Sequence, residues 1–93
     1  MGVTETLCRF AMETGYDSIP KEAVEIVKER ILDTVAVALA GSQEPAGAGR
    51  KVIELVRRMG GTPTCTVIGG GFKTSSLNAA LANGTSAHTL DYL

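Results

Sequence analysis

Residues 20–41 read PKEAVEIVKERILDTVAVALAG, and this stretch decides the fold class. Ala23, Val24, Val27, Ile31, Val35 and Ala38 recur at three- and four-residue steps, which places them on one stripe of a helix. Pro20 suits a first helical turn, and Gly41 reads as the residue just past the last one. Lys21, Glu22, Glu25, Lys28 and Glu29 give the first half a wet face. From Thr34 to Ala40 the segment is apolar on every side. A helix of that kind has to be covered all round. The other short helices of a 93-residue chain are too few for this, so more protein than these residues supply is expected to bury that end. Asp33 lies inside the same half. An ionised carboxylate buried there without a partner costs on the order of several kcal/mol, so the sequence predicts a hydrogen-bond network around it before it predicts catalysis.

Outward from this helix the rhythm stays helical. TETLCRFAMETGY (residues 4–16) spaces Leu7, Phe10, Ala11 and Thr14 for a first helix, with Thr4 as its N-cap and Gly15 at its end. SQEPAGAG (42–49) is a linker rich in breakers. RKVIELVRRMGG (50–61) predicts a third helix with Val52, Ile53, Val56 and Met59 inward, and with Arg57 and Arg58 in the last turn, where positive charge complements the dipole. TPTCTVIGGG (62–71) predicts a short strand over Thr64–Ile68. TSSLNAALANGTSAHTLDYL (74–93) predicts two more helices. The first is capped by Thr74, Ser75 or Ser76 and has Leu77, Ala80 and Leu81 on one face. Asn83–Gly84 breaks it, and Ala87, Leu90 and Asp91 follow. The expected fold is mainly α with one short strand near 64–68, in one partial helical domain over residues 1–93.

Composition narrows the function. Nine basic and ten acidic residues leave a net charge of −1, which provides no footprint for nucleic acid or for an anionic membrane surface. The apolar run 34–40 is far shorter than the roughly 20 residues that span a bilayer. Glu5, Arg9 and Glu13 interrupt any secretory core in residues 1–15. Cys8 and Cys65 fit no metal spacing and read as reduced, buried thiols rather than as a single disulfide. A cytoplasmic protein, or one of an organelle matrix, is expected.

Three stretches carry polar chemistry. GGGFKTS (69–75) lies between a strand and a helix, but a phosphate-binding loop needs glycine directly before the lysine, and Phe72 stands there; Val67 also occupies the place of the upstream glycine. The glycines read as a tight turn into the helix. Arg57–Arg58 reads as a solvated helix end before it reads as an anion site. HTLD places His88 and Asp91 three residues apart, on one face if the segment is helical. A carboxylate so placed can fix an imidazole tautomer or act as a base itself. By spacing alone a local hydrogen bond is the commoner meaning, and two residues cannot hold a metal unaided.

The order of RILDTVAVALAGS, CTVIGGG and NAALANGTSAHTLDY resembles the MmgE/PrpD family, whose members include 2-methylcitrate dehydratase, cis-aconitate decarboxylase and iminodisuccinate epimerase. The last stretch is similar to the family's A-x-x-N-G-x-x-x-H-x-x-D-[FY] signature, and the likeness covers roughly Ile19 to Tyr92. The resemblance implies the N-terminal part of an all-helical domain within a much longer enzyme. That enzyme would act on small di- or tricarboxylates by proton abstraction next to a carboxylate, without metal or organic cofactor. Asp91 would be catalytic, His88 would support it, and Asn83 would mark the pair that positions the signature and would contribute weakly to substrate binding. Leu93 stands where the family usually has a second aspartate, and the family's later histidines and lysines have no counterpart here. Expected partners are the rest of the enzyme or a second subunit, a small carboxylate, and a second copy in a homo-oligomer. The chain alone is expected to be inactive. The rival reading is a non-catalytic helical module that assembles through its apolar surface.

Overall fold

The computed structural model describes residues 2–90 of the chain. It is mainly helical: α1 (Val3–Glu13), a single 3-10 turn (Tyr16–Ser18), α2 (Lys21–Ser42), α3 (Ala48–Met59), β1 (Cys65–Thr66), β2 (Lys73–Thr74) and α4 (Ser76–Thr89). Two compact units divide at residue 30, inside α2.

In the first unit α1 begins one residue before Thr4, with Gly2 rather than Thr4 as its N-cap. It ends at Thr14, whose N–H donates to the Phe10 carbonyl. Leu7, Phe10 and Met12 are exposed, and no described residue of this unit is fully buried. Two ion pairs, Arg9–Glu5 at 3.4 Å and Lys28–Glu25 at 3.7 Å, lie on solvated surface and contribute little.

The second unit holds the core. Ile53 and Val56 of α3, Val67 after β1, and Ala79 and Ala82 of α4 are buried together, with Val52, Cys65 and Phe72 packed at the margin. Ile53 and Val56 follow the predicted stripe of α3, but Met59 is 63% exposed because the helix ends there and Gly60, at φ 72°, turns the chain away. Arg57 and Arg58 are exposed at the helix end as read, and Arg57 also makes contacts of its own there. It donates to the Gly70 carbonyl at 3.0 Å, and its guanidinium stacks 4.4 Å from the Phe72 ring centroid.

The expected single strand is instead an antiparallel hairpin, with Cys65 opposite Thr74 and Thr66 opposite Lys73. Its turn uses Gly69 and Gly71, both at φ 78°, and closes with Val67 N–H donating to the Phe72 carbonyl at 3.1 Å. A side chain at Gly69 would also overlap the Ser42 hydroxyl. The glycines therefore turn strand into strand, not strand into helix. Thr74 is buried and donates to the Gly60 carbonyl at 3.3 Å, which ties β2 to the end of α3.

One further expectation changes. Gly41 does not stop α2, which runs on to Ser42 with both residues buried. A Cβ at Gly41 would collide with the Ser86 carbonyl, so the glycine is a contact point and not a terminator. Along 34–40 this chain buries Val37 and Ala38 and leaves Val35 and Leu39 about half exposed, which is the area that further protein is expected to cover. Asp33 is exposed in this chain.

Candidate functional site

α4 carries both described members of the predicted site. Ser75 caps it, its hydroxyl accepting from Asn78 N–H at 3.3 Å. The helix then runs through Asn83–Gly84 without the predicted break. Glycine inside a helix costs about 1 kcal/mol relative to alanine, and the tertiary contacts of α4 offset this. Asparagine breaks helices when its side chain competes for its own backbone. Here the Asn83 amide is engaged elsewhere: its Oδ1 accepts from Ile68 N–H at 2.8 Å, and its Nδ2 donates to the Thr66 carbonyl at 3.0 Å. Both functions of the amide thus hold the hairpin beside α4.

The two faces of α4 differ in side-chain size. The buried face is made of Ala79, Ala82, Ser86 and Ala87, and the open face of Leu77, Leu81, Gly84 and His88. Small residues let backbones approach. Gly41 of α2 and Gly49 of α3 both lie so close to Ser86 that a Cβ on either would overlap it. Ser86 is fully buried, and its hydroxyl has no hydrogen-bond partner among the described residues.

His88 lies in the last turn of α4, exposed, with no side-chain hydrogen bond among the described residues. It lines an open groove of about 570 Å³ with Ala48, Ala80, Leu81, Gly84, Thr85 and Thr89. Ala48 brings the first turn of α3 to the rim of that groove. Asp91, the predicted catalytic acid, lies outside the described residues. Asn83 faces the hairpin rather than this groove, of which it is not a lining residue.

Sequence reasoning passed over Thr89. Its hydroxyl accepts from Gly49 N–H at 3.0 Å and donates to the Thr85 carbonyl at 2.7 Å. The available signal was the repeat of small and hydroxylated residues at Ala79, Ala82, Ser86 and Thr89, spaced at three and four, which marks a close helix contact once bulk is no longer required of a core face.

Among the described residues no group of three or more His, Cys, Asp or Glu is placed to hold a metal ion, and no helix is long and apolar enough to cross a membrane. Cys8 is exposed and Cys65 half-buried, and both are free thiols, so the burial expected of Cys8 does not occur.

Comparison with known proteins agrees with the family resemblance. The model of the MmgE/PrpD N-terminal domain matches residues 5–93. A cis-aconitate decarboxylase of Aspergillus terreus is 33% identical over 82 residues, which cover 88% of this chain and 16% of that protein; the same enzyme from strain NIH 2624 / FGSC A1156 gives the same figures. The match thus spans about one-sixth of the length of these curated relatives. No solved structure gives a significant match. By the extent of the domain match, the chain belongs to the MmgE/PrpD family.

Proposed function

We propose that this chain supplies the N-terminal segment of an enzyme that acts on a small di- or tricarboxylate by abstracting a proton next to a carboxylate. The reaction then ends in loss of water or carbon dioxide, or in epimerisation. The match to the family's N-terminal domain over residues 5–93 carries this reading, because it includes the whole NAALANGTSAHTLDY signature. Asp91 serves as the acid/base group, and His88, on the open face of α4, supports it. Family resemblance, not the groove, supplies these roles. Asn83 contributes by holding the hairpin against the helix that bears the signature. The cationic groups that hold substrate carboxylates come from protein beyond this segment, so residues 1–93 alone are inactive. Its free thiols fit a reducing compartment, the cytoplasm or an organelle matrix.

The test isolates the assembly that carries this chain in its native source and assays it on cis-aconitate and 2-methylcitrate. Turnover is expected, with Asp91→Asn lowering kcat by about 10²-fold or more and His88→Ala by less. An assembly inert toward every di- and tricarboxylate offered would sink the proposal, and unchanged turnover in Asp91→Asn would remove that residue from the chemistry.

One observation favours the rival reading, a non-catalytic module that self-associates. Ile31, Leu32, Val35 and Leu39 leave large apolar area open on α2. Sedimentation separates the two. A stable homo-oligomer of residues 1–93, with no other chain in the native assembly, supports the module; co-purification with the remainder of a family enzyme supports the segment.

A further inference from the structure

We propose that Thr89 is a positioning residue for His88, acting as an N-cap supplied to α3 by another helix; this rests on the reading of His88 as part of the active site.

α3 starts without a cap of its own. Its N-cap residue is Gly47, which has no side chain, and no side-chain hydrogen bond is made there. The first amides of a helix need acceptors from outside the helix. Thr89 provides one: its Oγ1 accepts from Gly49 N–H, at the second helical position, the amide that a serine or threonine N-cap ordinarily serves. The same hydroxyl donates to the Thr85 carbonyl at 2.7 Å, so its only proton is committed and its orientation is fixed. The acceptor therefore cannot reach Gly49 unless the last turn of α4 takes one particular rotation and one axial position.

Packing enforces the same setting. Ser86, three residues earlier on that face, leaves no room for a Cβ at Gly41 or Gly49, and the Thr89 methyl lies where a side chain at Gly47 would go. His88 precedes Thr89 directly, and with Thr89 held inward the imidazole projects into the groove beside Ala48. Gly49 is thus required twice, once to admit Ser86 and once to present its amide.

The experiment uses residues 1–93 and compares the unsubstituted protein with Thr89→Val, which keeps the shape and loses the acceptor, and Thr89→Ser, which keeps the hydroxyl. Amide exchange at Gly49 and the ring resonances of His88 are read by NMR. Thr89→Val is expected to speed Gly49 exchange about fivefold, the equivalent of one ordinary hydrogen bond, and to shift the His88 ring signals, with Thr89→Ser restoring both. Unchanged Gly49 exchange and unchanged His88 signals in a folded Thr89→Val protein would overturn the proposal. Should that variant not fold, the unsubstituted protein still decides: a Gly49 amide exchanging at the rate of a free peptide overturns it. Both readouts are independent of substrate. If they behave as expected while the native assembly turns over no carboxylate, the catalytic reading fails and the trans-cap stands.

Discussion

Residues 2–30 and residues 31–90 both carry many large apolar side chains, yet only the second unit buries any of them completely. In the first, Leu7 and Phe10 follow a helical spacing and remain exposed, as does Met12. In the second, Ile53 and Val56 sit at zero exposure because α4 and the hairpin close over α3 from two sides. Amphipathic spacing selects a face; burial needs a second element shaped to meet that face. The second unit has one, and it is built from alanine, serine and glycine rather than from larger hydrophobes.

The strongest test of that contrast is Ile53→Ala. It should cost about 2–5 kcal/mol, enough to unfold a marginal unit, as measured by urea denaturation followed by circular dichroism. A loss under 1 kcal/mol would mean that the α3–α4 core is not what holds residues 31–90 together. Gly41→Ala comes next. Its methyl has no room beside Ser86, and the expected destabilisation is about 1–3 kcal/mol, in place of the gain that alanine normally brings to a helix. A more stable Gly41→Ala protein would show that the glycine is a helix end after all. Asn83→Ala leaves Ile68 N–H and the Thr66 carbonyl without partners and should cost about 1–2 kcal/mol, with faster hydrogen exchange at Ile68. The smallest effect is expected from Phe10→Ser in the isolated chain, within about 0.5 kcal/mol. The same change in the native assembly sharpens the comparison: weakened assembly there would identify α1 as a surface covered by other protein.

The sequence makes α3 legible because Ile53 and Val56 are large, apolar and helically spaced, which is the pattern that area burial rewards. It leaves α4 half legible. Leu77 and Leu81 do share a face as read, but that face is the open one, and only the shape of the neighbouring helices makes the alanine side the core. Gly41 and Asn83–Gly84 mislead for a related reason. Local propensity marks each as a place to stop, whereas partners remote in sequence, Ser86 for Gly41 and the hairpin for Asn83, let the helix continue. β2 is invisible at two residues, a length at which no alternation can be read, and it exists through its pairing with β1. Of the candidate site, His88 is legible as a histidine on a helix near the end of the chain; its exposure is not. Thr89 is not, because the demand it meets arises at Gly49, forty residues away.

The bonds from Asn83 also bear on how the chain behaves in company. Along an antiparallel strand, backbone groups alternate between the partner and the outer edge. Val67 bonds inward to Phe72, which directs the Thr66 carbonyl and the Ile68 amide outward. A free edge of this kind is a template for strand addition by another chain. Asn83 meets its acceptor with a donor and its donor with an acceptor, as a neighbouring strand would. One side chain on a helix thereby occupies the outer edge of β1 without a third strand.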